Sequence, residues 1–102
     1  MKRYVLSRGA DRDLDDLWDY VAADNVDAAD RLIQKLMDVF EALAQHSGMG
    51  HKREDLTDYL VLFWPVGNYL VIYQAEQRPI RIVAIVHGNR DIPTFLHGRN
   101  AE

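Results

Sequence analysis

The chain has 102 residues, no cysteine, 6 glycines and 3 prolines, 48% hydrophobic residues and a net charge of −4. That length and composition predict one domain with a packed core, exclude disulfides and thiolate metal sites, and leave no stretch biased enough to read as disordered. Charge is uneven, with 6 Lys/Arg against 10 Asp/Glu in residues 1–50 and 6 against 6 in 51–102, and an acidic total argues against broad binding to a nucleic-acid backbone.

"RYVLS" at the start is a short β-branched and aromatic run, and the "RGAD" after it reads as a strand exit leading to a helix cap. From Asp11 the period changes: Leu14, Leu17, Trp18 and Val21 fall on one stripe of an amphipathic helix, with Trp18 expected in the core. Asp13, Asp15, Asp16 and Asp19 lie largely off that stripe and are expected to form a solvated face. "ADNVDAAD" interrupts the pattern, and Asn25 or Asp27 can cap a second helix carrying Leu32, Ile33, Leu36, Met37, Phe40, Leu43 and Ala44. The two stripes predict a helical hairpin packed on a sheet.

"QHSGMGHKREDLTD" is a long connection bent by Gly48 and Gly50. Beyond it the texture is β: "YLVLFWPV", "YLVIYQA" and "IRIVAIVH", separated by Gly67-Asn68 and by "EQRP". Three strands this close predict an antiparallel meander. The fold class is therefore α+β: an N-terminal strand, an α-helical hairpin, then a three-stranded antiparallel meander, in the order β-α-α-β-β-β. The end, "NRDIPTFLHGRNAE", holds Pro93 and Gly98 and is too interrupted for a long helix, but Ile92, Phe95 and Leu96 are spaced to dock one apolar face.

Chemical motifs are sparse. His46, His51, His87 and His97 have no i, i+4 zinc spacing, and there is no G-x-S-x-G, P-loop or G-x-G-x-x-G, so no metal and no cofactor is expected. No apolar run approaches the roughly 20 residues of a membrane helix, and the N-terminus lacks the apolar core of a signal peptide. A cytoplasmic protein without membrane contact is expected. What remains is a cluster of Arg53, Glu54, Arg81, His87 and Arg90. In one reading these form a ribonuclease site, with Glu54 or His87 moving protons and the arginines holding the phosphate. In the other, His87 merely ends a strand before Gly88 turns the chain.

Three stretches, "DAADRLIQKLMDVFEALAQHSGMGHKREDL", "WPVGNYLVIYQ" and "IVAIVHGNRDI", in this order and spacing, resemble the ParE branch of the RelE/ParE toxin superfamily. With the "DLDDLWDYVA" helix the likeness spans most of the chain. The resemblance implies a single RelE/ParE-like domain over residues 1–102. It also implies a toxin of a type II toxin–antitoxin pair, neutralised by a cognate antitoxin in a hetero-oligomer and directed at DNA gyrase by protein binding, with no catalysis of its own. The minority alternative is a RelE-like messenger-RNA endonuclease using Arg53, Arg81, His87 and Arg90. A third reading is a decayed relative that only binds antitoxin.

Many ParE-like sequences carry arginines where this chain has Leu62 and Ala84. Both differences remove positive charge from the sheet. Leu62, Trp64, Ala84, His87, Arg90 and Phe95 are the expected contacts for target or antitoxin, with a hydrophobic groove beside the strands of Leu62 and Ala84, and with Arg90 held at the protein's edge by the docked C-terminal segment.

Overall fold

Ser7 ends the first strand and starts the first helix. In the computed structural model, which describes residues 3–99, β1 (Tyr4–Leu6) leads into α1 (Arg8–Ala22). The Ser7 hydroxyl accepts a hydrogen bond from the Ala10 N–H at 3.0 Å and donates one to the Val83 carbonyl at 2.9 Å, using both capacities of a hydroxyl. The helix thus starts ahead of the expected Asp11, with Gly9 and Ala10 buried in its first turn.

α2 (Val26–Gln45) is capped by Asn25, whose side chain accepts from the Ala28 N–H at 2.9 Å. Leu36, Phe40 and Leu43 are fully buried on its inner face, while Leu32, Ile33, Met37 and Ala44 pack around them. Trp18 departs from expectation. It is half-buried at the rim of the hairpin, where its Nε1–H donates to Asp30 at 2.8 Å and ties α1 to α2, because the indole N–H needs a partner the core does not offer.

β2 (Leu62–Val66), β3 (Tyr69–Gln74) and β4 (Ile80–His87) form the antiparallel meander, and β1 lies parallel to β4, giving the sheet order β1-β4-β3-β2. The β2–β3 turn needs Gly67, whose φ of 59° suits the first central position of a type II′ turn. Ile72 stands opposite Ala84 but Tyr73 stands opposite Ile82, so Val83 is an extra residue in β4. This bulge reverses the alternation. Before it, Ile80 and Ile82 face the helical hairpin; after it, Ala84 and Val86 face the other way.

The core is consequently double. Tyr4, Leu14, Leu36, Phe40, Leu43, Val71, Tyr73, Ile80 and Ile82 pack between hairpin and sheet. On the opposite face Phe63, Ile72, Ala84 and Val86 are covered by α3 (Ile92–Arg99), through Ile92, Phe95 and Leu96, and by Leu56, Tyr59 and Val61 of the long connection. Asp91 caps α3, accepting from the Thr94 N–H at 3.3 Å and the Thr94 hydroxyl at 2.9 Å, and Pro93 sits in the first turn, where a backbone N–H would lack a helical partner anyway. The predicted order β-α-α-β-β-β holds, with this short helix added.

Candidate functional site

β1 stops at Leu6, so β4 has no strand on that side beyond Ile82. Unpaired backbone groups at a sheet edge need partners, and here side chains supply them. The Val83 carbonyl accepts from Ser7 Oγ and from Arg99 at 2.9 Å, and the Ile85 N–H donates to Asp13 Oδ2 at 3.0 Å. Asp13 also receives both Arg99 terminal nitrogens, at 3.1 Å each, in a pair only 12% and 15% exposed. Asp13 is therefore not part of a solvated face as its spacing predicts. It is a nearly buried anchor joining α1, β4 and the end of α3.

Next to this anchor the α1–β4 junction opens into a trough of about 330 Å³. Leu17 and Tyr20 of α1 form one wall, Tyr69 and the Ile85–His87 end of β4 the other, and Arg90 closes one end. Tyr20 is 79% exposed, unusual for so large an aromatic residue on a helix of a folded domain. His87 is exposed, its Nδ1 accepts from the Asn89 N–H at 3.1 Å, and its ring meets Tyr69 edge-on with centroids 5.5 Å apart. With Nδ1 accepting, the neutral ring carries its proton on Nε2.

The residues of the ribonuclease reading do not converge on one point. Arg53 and His87 border a cleft at the Gly67 turn, and His87 and Arg90 share the trough. Arg53 is engaged with Asp55 through two hydrogen bonds of 3.0 and 2.9 Å; this contact holds the Asp55 carboxyl below its usual range and raises the Arg53 guanidinium. Arg81 lies opposite Val5, six positions before His87 and so roughly 20 Å away along the strand at about 3.3 Å per residue. Among the described residues no three of His, Asp or Glu gather as a metal site.

The expected contact residues separate as well. Leu62 and Trp64 flank the hairpin face, Trp64 stacked on His51 with centroids 6.2 Å apart. Ala84 lies on the opposite face, fully buried beneath α3, so it has no surface to offer in this conformation and cannot share a groove with Leu62. The Val83 bulge is the reason. His87, Arg90 and Phe95 do cluster at one edge. Leu17, Tyr20 and Tyr69 were missing from the expected set; the signal for Tyr20 was an aromatic side chain among aspartates, outside the apolar stripe of its helix.

Comparison with known proteins decides the family. Residues 4–92 match the family described as ParE toxin of type II toxin–antitoxin system, parDE. The chain belongs to the ParE toxin family. It is 35% identical over 98 residues to Toxin ParE1 of Caulobacter vibrioides, covering 94% of this chain and 99% of that protein. Its fold is similar to a chain of the chromosomal ParDE TA system from P. aeruginosa, with a TM-score of 0.68 at 20% identity over 82% of this chain and 92% of that one. ParE membership agrees with the resemblance carried by the "WPVGNYLVIYQ" and "IVAIVHGNRDI" stretches, and β3 and β4 of this ParE-family chain are built from those segments.

Proposed function

We propose that this ParE-family chain poisons DNA gyrase by binding it, performs no chemistry of its own, and is held inactive in the cytoplasm by an antitoxin seated in the trough between α1 and the open edge of β4. The observation that carries the non-catalytic reading is that no one site holds all four basic residues: Arg53 and His87 border one cleft, His87 and Arg90 share the trough, and Arg81 lies far from both along β4. General acid–base cleavage of RNA needs proton-moving and phosphate-holding groups around one scissile bond. A binding toxin needs a surface instead. An aromatic trough beside a strand edge that side chains already satisfy suits an amphipathic helix from a partner.

The purified chain should inhibit gyrase supercoiling, and the antitoxin encoded with it should relieve that inhibition. Messenger RNA incubated with ribosomes and the chain should stay intact. Cleaved message with unaffected gyrase would replace this reading by the endonuclease one.

A further inference from the structure

Arg90 borders two concavities. One is the trough; the other is a notch of about 510 Å³ formed with Arg12 of α1 and with Asp91, Thr94, Phe95, Gly98 and Arg99 of the α3 segment. The Arg90 guanidinium lies over the Phe95 ring, 4.6 Å from its centroid, and the Arg99 guanidinium lies over the same ring at 4.5 Å. Stacking of this kind holds the planar fork in place while leaving its edge N–H groups free to donate. Neighbouring acids are already engaged. Asp13 is bound by Arg99, and the Asp91 oxygens accept from Thr94. The Arg90 guanidinium forms no hydrogen bond or ion pair with any described residue.

We infer that Arg90, held over Phe95, is a receptor for a single carboxylate, presented by an acidic residue of the antitoxin whose neighbouring apolar side chains fill the trough. The inference rests on the trough being the antitoxin's seat. Three observations select a carboxylate. A fixed guanidinium edge offers parallel donors to two coplanar oxygens. Of the three arginines on the notch wall, Arg99 is bound by Asp13 and Arg12 is engaged as well, so the one open guanidinium, Arg90, suits one negative group better than a polyanion. Asp16 on the adjoining trough, in a chain of net −4, repels an extended phosphate backbone.

Gly98 provides an independent handle. It stands on the notch wall, and a Cβ built there meets no atom within 4 Å, so Gly98→Leu starts a side chain at the notch without a clash at its Cβ.

The test is calorimetric binding of the full chain to its antitoxin. Arg90→Ala should weaken binding about 10- to 100-fold, the range of a charged hydrogen-bonded contact. Arg90→Lys should restore only part of this, and Gly98→Leu should weaken binding without lowering the melting temperature. Scanning the antitoxin's Asp and Glu residues to Ala should find one whose effect vanishes in the Arg90→Ala background. If Arg90→Ala and Gly98→Leu bind as the parent does while Tyr20→Ala weakens binding, the carboxylate receptor is wrong and the trough reading stands. If Tyr20→Ala binds normally too, both fail. Inorganic phosphate moving the Arg90 Nε–H resonance at lower concentration than N-acetylglutamate would make the notch a phosphate site and overturn the assignment.

Discussion

Between the hairpin and the sheet, Leu36, Phe40, Leu43, Val71, Tyr73, Ile80 and Ile82 are all fully buried, and the helices covering them are 15 and 20 residues long. The other face is covered by an 8-residue helix and an irregular segment, fastened by particular polar contacts: Arg99 to Asp13, Thr94 to Asp91, and Tyr59 within 3.4 Å of His97. Many apolar contacts make the first face redundant, since no single polar group decides it. On the second face α3 is positioned by three apolar side chains, Ile92, Phe95 and Leu96, together with one ion pair. Local opening should therefore begin there, on the side that carries Arg90, Phe95 and the notch. The proposed binding edge is mounted on the less redundant half of the molecule.

The largest expected effect lies on the hairpin side. Phe40→Ala removes a fully buried ring that meets Tyr4 edge-on with centroids 5.5 Å apart, and should cost about 3–5 kcal/mol in urea unfolding. A loss below about 1.5 kcal/mol would mean that this face relaxes around cavities and is not the stability centre.

Arg99→Ala comes next. It leaves Asp13 nearly buried without its cation and the Val83 carbonyl with one donor fewer, for a loss of about 2–3 kcal/mol, below the full range for buried pairs because some solvent reaches this one. The sharper reading is by hydrogen exchange. Amides of α3 should lose protection well before those of α2, and equal protection in both would show that Ile92 and Leu96 alone hold the helix.

Tyr73 tests the hairpin side from a polar direction. Its hydroxyl donates to the Ser47 carbonyl at 2.7 Å and accepts from the Gly50 N–H at 2.8 Å, fixing the long connection to the sheet. Gly50 has no room for a side chain, since a Cβ would lie 2.6 Å from that hydroxyl. Burial raises the Tyr73 pKa above its ordinary value, with the Gly50 hydrogen bond pulling weakly the other way. A raised pKa means that the folded state holds the proton more tightly. Its contribution is full below pH ~10 and is lost as pH rises from there through the folded-state value. Tyr73→Phe should cost about 1–1.5 kcal/mol at neutral pH and flatten the alkaline decline. It should not abolish it, because burial and the nearby Glu41 raise the pKa of Tyr4 as well. An unchanged alkaline profile would assign the decline elsewhere.

The two halves were also unequally legible in the sequence. The hairpin follows from periodicity, because Leu32, Leu36, Phe40 and Leu43 repeat at helical spacing and each is buried or packed where that spacing puts it. The meander follows from turn chemistry at Gly67. The parallel pairing of β1 with β4 had no local signal, since it joins the first strand to the last. Nor did the Val83 bulge, which places Leu62 and Ala84 on opposite faces although simple alternation leaves them free to share a groove. Asp13 looked solvated because its partners, Arg99 and the Ile85 N–H, lie at the far end of the chain. Arg90, His87 and Phe95 could be picked out because a polar cluster follows a hydrophobic strand. Tyr20 was missed because periodicity attends to the apolar stripe, whereas its signal was an aromatic side chain off that stripe among aspartates.

The smallest expected effect is at His87, where the edge and the ribonuclease reading meet. Its ring is exposed, its one hydrogen bond is to the Asn89 N–H, and its contact with Tyr69 is a surface contact. His87→Ala should therefore change stability by less than about 1 kcal/mol, as surface substitutions with one replaceable hydrogen bond do. Its functional signature separates the two chemistries. A strand-end residue on a binding edge gives at most a few-fold change in gyrase inhibition, since water replaces the lost contact. A general acid would lose activity on the order of a hundredfold in message cleavage with no change in melting. The second pattern requires Arg81 to join Arg53 at His87; Arg53 and His87 already border one cleft, but Arg81 lies far down β4, and bringing it there would take rearrangement of the sheet. His87→Ala is thus expected to leave both folding and gyrase inhibition nearly intact, and a message-cleavage activity that depends on His87 would mean that the polar end of β4 is a catalytic site after all.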